Sequence, residues 1–195
     1  MVGKSHLICG SCVLADLYTA TLLLERRMSE NSFLYSEKFN PTTIKNYFLL
    51  NNEGKFDIGF ILLGLGLFLI GSLLPDIDSK NSTLGKYFHL PLKHRGFTHQ
   101  IYPILLISLS ALFFNKAFAY LALGYFIHLF LDSFSTAGIC WFKDNFIRYS
   151  SGAFVKKNHK LKLYRAGDVS EYVVDTVIVV LSFVFVFYNN WIFKI

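Results

Sequence analysis

A chain of 195 residues is long enough for one soluble core or for a handful of membrane helices, but not for both. Its 53% hydrophobic and 16% charged residues, with a positive mean hydropathy, lie outside the range of an ordinary soluble domain and point to an integral membrane protein. The net charge of +6 fits cytoplasmic loops and anionic headgroups rather than nucleic acid, and three cysteines cannot all pair in a secreted disulfide framework.

Met1 to Ala20 shares a basic residue, an apolar run and small residues with a signal peptide, yet His6 and Asp16 interrupt the run and predict a retained helix. The first expected span is Leu7 to Leu24. Glu25 to Asp57 is polar, holds Pro41, and reads as a loop with room for one short amphipathic helix. Ile58 to Leu74 is the second expected span, stopped by Pro75, with Gly64, Gly66 and Gly71 permitting close helix packing. Asp76 to Gln100 is polar and basic, with a short helix expected around Ser82 to His89. Ile101 to Phe114 and Ala117 to Leu131 are apolar runs separated only by Asn115 and Lys116, which forces a tight antiparallel hairpin. Ser133 to Tyr172 is a long basic loop, and Val173 to Phe193 is the last span. No internal repeat is visible.

Threading these runs alternately through a bilayer gathers His6, Asp76, Asp78, His94, His99, Asp132 and Glu171 on one face, with His128 one helical turn inside it. That face carries 12 of the 19 Lys and Arg residues and is therefore expected to be cytoplasmic. Imidazoles and carboxylates beside hydrocarbon persist only when paired, neutralised or coordinating, and a buried cation satisfies all of them together.

His128 and Asp132 are four apart on an apolar helix, so either both bind one metal or the aspartate orients the histidine. The plain alternative is a His–Asp hydrogen bond joining helices. In Pro75-Asp-Ile-Asp78 the two carboxylates cannot share a helix face, which leaves one to ligate and the other to serve a second metal or a histidine. His94-Arg-Gly-Phe-Thr-His99 places two imidazoles five apart around a turn at Gly96, with Arg95 available as a bidentate donor to phosphate or carboxylate. Glu171, at the start of the last helix with Asp175 four residues on, is either dipole compensation or a contact to metal or substrate. Cys9-Gly-Ser-Cys12 matches C-x-x-C but lacks the preceding strand of a thioredoxin-like site. His89 and His159 read as surface residues.

With Thr136-Ala-Gly138 and Gly167, these blocks resemble the YdjM-like family, described as LexA-regulated, inner-membrane, metal-dependent hydrolases of phospholipase type. More distantly, the order His6, Asp76, His99, His128-x-x-x-Asp132 is similar to the zinc phospholipase C and single-strand nuclease superfamily. That resemblance implies one metal centre from Asp76, His99, His128 and Asp132 and another from His6 with the shared Asp132. It departs late in the chain, where only His159 and Glu171 are available for the further histidine ligands of that superfamily.

The expected protein is an all-α integral membrane bundle of about five transmembrane helices, one domain over residues 1–195, with a metal site at the helix ends on one face. The candidate metal ligands are His6, Asp76, His94, His99, His128 and Asp132, and the catalytic candidates are Asp78, Arg95 and Glu171. One or two divalent ions are expected, zinc foremost, with manganese or iron fitting the same donors. The expected reaction is hydrolysis of a phosphate ester in a lipid or lipid-linked substrate of the bacterial inner membrane, with Arg95 on phosphate and Asp78 or Glu171 moving the proton. The rivals are a metal transporter or sensor, for which the apolar span interiors offer an ion no route beyond Asp16, and a scaffold whose His and Asp residues only join helices.

Overall fold

The computed structural model describes residues 3–30, 57–92, 96–142, 146–148, 154–156 and 162–193. Five helices are present among them: α1 (Gly3–Glu30), α2 (Ile58–Leu73), α3 (Ile101–Phe113), α4 (Phe118–Ser133) and α5 (Val169–Phe193). A 3-10 turn, Leu74–Asp78, continues α2, and a second, Phe97–His99, leads into α3.

Ile58–Asp78 and Val169–Asn189 are long and apolar enough to cross a membrane, and the hairpin helices α3 and α4 are apolar but shorter. Their outward faces carry Leu62, Leu63, Leu106, Leu112, Val180, Leu181 and Phe183, all more than half exposed, which water would disfavour and lipid accepts.

The tightest packing is between α2 and α4, and glycine makes it possible. A Cβ on Gly124 would lie 2.2 Å from the Phe68 carbonyl oxygen, and one on Gly71 would lie 2.2 Å from that of Leu121. Gly64 gives its space to the Tyr120 ring, whereas Gly66 has nothing within 4 Å and takes no part in the contact. Cys9, Phe60, Phe68, Tyr120, Ile127, Leu131 and Tyr164 form the main core, and Ile104, Tyr125, Leu129 and Ile139 a second one.

Where the elements differ from expectation, local hydrogen bonding explains the difference. Helix α2 begins at its expected residue because Asp57 accepts hydrogen bonds from Gly59 N and Phe60 N at 2.8 and 3.3 Å. Helix α1 starts at Gly3 rather than Leu7, with His6 buried in its first turns. Helix α5 starts at Val169 rather than Val173, because the Glu171 side chain reaches back to accept the Gly167 N–H at 2.6 Å. The expected short helix at 82–89 is a run of turns, stapled by Ser82 Oγ to the Asp76 carbonyl (2.6 Å) and by Leu90 N to the Ile77 carbonyl (3.0 Å). To the all-helical expectation the long loop adds one small antiparallel ribbon, Phe146–Arg148 with Phe154–Lys156. The expected loop at 25–57 is helical to residue 30, and its remainder up to 56 lies outside the described residues.

Phe134 to Thr136 and Leu163 to Tyr164 close over the end of α4. Thr136 N and Leu163 N exchange hydrogen bonds with the Tyr164 and Phe134 carbonyls, and the buried Tyr164 hydroxyl donates to the Leu131 carbonyl at 2.8 Å. Tyr164→Phe is expected to lower stability by about 1 kcal/mol, seen as a lower melting temperature in detergent without loss of helical signal.

Candidate metal centre

Helices α1, α3 and α5 start, and α2 and α4 end, at one place. His6 comes from the second turn of α1, Asp76 and Asp78 from the turn ending α2, His99 from the turn before α3, and His128 and Asp132 from the last turns of α4. All six are buried, His99 and His128 completely.

The hydrogen bonds fix which ring nitrogens face inward. His128 Nδ1 lies 2.6 Å from the Ser72 carbonyl oxygen, which can only accept, so Nδ1 carries the proton and a neutral ring has its lone pair on Nε2. Thr98 Oγ1 donates its one hydrogen to Asp78 Oδ2 at 2.5 Å and therefore accepts from His99 Nδ1 at 3.1 Å, with Asp78 Oδ2 itself 3.5 Å from that nitrogen. His99 Nε2 is then left facing inward as well.

Both inward nitrogens meet the same two carboxylates. His99 Nε2 is 3.5 Å from Asp76 Oδ1 and 3.6 Å from Asp132 Oδ2; His128 Nε2 is 3.7 and 3.9 Å from the same atoms. Four donors around one tetrahedral zinc ion stand about 3.3 Å apart, given zinc–ligand bonds of about 2.0 to 2.1 Å. The four imidazole–carboxylate separations lie close to that value. On the other side of Asp132, His6 Nε2 lies 3.5 Å from Oδ1, and the His6 ring stacks on His128 at 3.7 Å between centroids. Both nitrogens of His6, and Nε2 of His128, lack a hydrogen-bond partner among the described residues. A lone pair turned toward carboxylates in a dry site is repelled unless a cation or a proton lies between them. The donor set therefore fits a divalent ion, and two overlapping ligand groups, His6–Asp76–His128 and His99–His128–Asp132, have the required closeness.

Burial alone would push His99 below its ordinary value of 6.5, but its hydrogen bonds to Asp76 and Asp78, with Asp132 nearby, lift it above that value. In metal-free protein this stabilisation is complete below the unfolded value and is lost as pH rises through the higher folded one. As pH falls from 8 to 6, the melting temperature of metal-free protein is expected to rise relative to that of His99→Gln, which lacks this contribution.

The remaining candidates fall elsewhere. Asp78 touches Thr98 and the outer nitrogen of His99, which makes it an orienting group for that ring. Glu171 is buried and holds the Gly167 N–H, and it belongs to neither close ligand group. His94, Arg95 and His159 lie outside the described residues. Three contacts had no sequence signal of their own: the Ser72 carbonyl, the Thr98 bridge, and the Tyr125 hydroxyl that donates to the Thr98 carbonyl.

A helical membrane protein with imidazoles and carboxylates buried together at its helix ends is the class these observations define. The sequence model of the YdjM inner membrane protein family matches residues 38–193, and the chain belongs to that family. The match takes in every candidate ligand except His6. No curated protein and no solved structure matches the chain.

Proposed function

We propose that this protein is a multi-pass inner-membrane hydrolase in which the histidine–carboxylate cluster holds one or two divalent ions, zinc foremost, and acts on a phosphate ester of a lipid or lipid-linked substrate. The observation that carries the reading is the pair of inward Nε2 atoms, from His99 and His128, facing the same two carboxylates. Asp76, His99, His128 and Asp132 hold one ion, and His6 with the second oxygen of Asp132 contributes to another. A bound divalent ion supplies Lewis-acid polarisation of a phosphoryl oxygen and lowers the pKa of water toward neutrality.

The chain's own groups keep that arrangement fixed. The Ser72 carbonyl locks the His128 tautomer, and Asp78 with Thr98 does the same for His99. Arg95 is assigned to the substrate phosphate, as a planar donor suited to paired oxygens. Glu171 is assigned to proton movement at the mouth of the site. Five spans put the cluster at the leaflet surface, where headgroup phosphates lie, and the bias of basic residues makes that surface cytoplasmic.

Metal analysis of purified protein tests the first half, and incubation with a panel of phospholipids and prenyl phosphates tests the second. Transition metal bound to the chain with release of a phosphorylated or dephosphorylated product supports the reading. Metal without any product from every phosphoester offered argues against hydrolysis. In metal-loaded protein the ion replaces the proton at His99, so greater stability is expected near pH 8 than near pH 6.

A further inference from the structure

Among the described residues, the contact between α1 and α5 departs from the apolar character expected of the span interiors. These helices run parallel and meet through polar side chains. On α1 the stripe is His6, Cys9, Cys12, Asp16 and Thr19, spaced three or four residues apart; on α5 it is Asp175, Ser182 and Asn189, each seven residues from the next. Cys9, Asp175, Ser182, Thr19 and Asn189 are all buried. Cys9 Sγ donates to Asp175 Oδ1 at 3.3 Å, and Ser182 Oγ donates to Asp16 Oδ2 at 2.6 Å. Cys12, the least buried of three free cysteines, lies close enough to interact with Asp16 and Ser182.

Polar side chains between membrane helices often do no more than join them. Joining accounts for the Ser182 contact but leaves Asp16 Oδ1 buried with no hydrogen-bond partner among the described residues, beside a groove of Val13, Leu17, Ala20 and Phe185. Nor does either helix provide a lysine or arginine as countercharge, since α1 has none between Lys4 and Arg26 and α5 has none at all. Thiols and carboxylates, one helical turn of about 5.4 Å apart and without a lysine or arginine on either helix beside them, end at His6, whose ring nitrogens also lack hydrogen-bond partners among the described residues. Each level offers two donors or fewer, which suits passage, because an ion must bind well enough to enter and weakly enough to leave.

We propose that the α1–α5 seam is the route by which a divalent transition-metal ion reaches the cluster from the opposite membrane face. The inference rests on the metal-binding reading of the cluster. The ion passes the Thr19 and Asn189 level, then Asp16 with Ser182, then Cys12, then Cys9 with Asp175, and arrives at His6. No bond other than ligation changes on the way, apart from the thiol proton released when a cysteine ligates.

The test is the rate of loading. Full-length protein in sealed proteoliposomes is stripped with chelator and given Zn2+ only on the membrane face opposite the cluster, and uptake is followed to its final ion-to-protein ratio. Asp16→Asn and Cys12→Ser are expected to load about tenfold more slowly than the unaltered chain and to reach the same final ratio, as is unaltered protein whose Cys12 has been alkylated. Loading of both variants at the unaltered rate would overturn the route while leaving the cluster intact. A lower final ratio in either variant would also overturn it, by making the seam part of the holding site or of the fold. If the unaltered chain takes up no Zn2+, the cluster reading fails and the route falls with it.

Discussion

Asp132→Ala is expected to strip the cluster of metal. Its two oxygens face three imidazoles, Oδ1 toward His6 and Oδ2 toward His99 and His128, so this one carboxylate reaches both proposed ion positions. Elemental analysis should find the metal content of the purified variant at background while helical content is retained. Asp78→Asn supplies the contrast, because Asp78 meets the outer nitrogen of His99 and the Thr98 hydroxyl rather than the inward nitrogens; it should weaken metal affinity by about 10- to 100-fold without abolishing binding. Glu171→Gln, which belongs to neither close ligand group, should leave metal content unchanged. Metal content that survives Asp132→Ala would leave the cluster without a chemical role.

The second large effect concerns the frame rather than the chemistry. Gly124→Leu is expected to prevent accumulation of folded protein, since even the first carbon of the new side chain would press on the Phe68 carbonyl from 2.2 Å. The neighbour is backbone, which cannot swing aside as a side chain would, so α2 and α4 must separate. Gly124→Ala should already cost about 1 to 3 kcal/mol. Gly66→Ala meets open space and should be neutral or slightly stabilising, by up to about 1 kcal/mol from helix propensity alone. Melting temperature and size-exclusion profile in detergent compare the three. Equal behaviour at positions 66 and 124 would contradict the close helix contact.

Much of this architecture was legible because lipid restricts what a chain can do. Backbone groups must be satisfied within each helix, so apolar runs ended by Pro75 or by the Asn115-Lys116 pair mark elements directly. Polar residues at the ends of those runs are few, and His128 with Asp132 declared a shared face by spacing alone. What escaped depended on partners that no spacing reveals. A carbonyl such as that of Ser72 has the same chemistry at every position, and Thr98 became a bridge only because Asp78 folds back beside it. The start of α5 was missed because a side chain, Glu171, closes the turn ahead of the apolar run. The seam was missed for another reason. Cys9, Cys12 and Asp16 looked like interruptions of a weak span until α5 supplied Asp175 and Ser182, although the sevenfold spacing of Asp175, Ser182 and Asn189 was open to view.

The glycine contact between α2 and α4 has a mechanical consequence. Two helices whose backbones touch behave as a single stiff bracket, and four of the five clustered ligands, Asp76, His99, His128 and Asp132, are fixed to it or to the turn that Tyr125 ties to it. Only His6 arrives on a separate arm, the α1–α5 pair, held by thiol, hydroxyl and carboxylate contacts that part more easily. Any breathing of the molecule would thus change the reach of His6 first and leave the other four donors as they were.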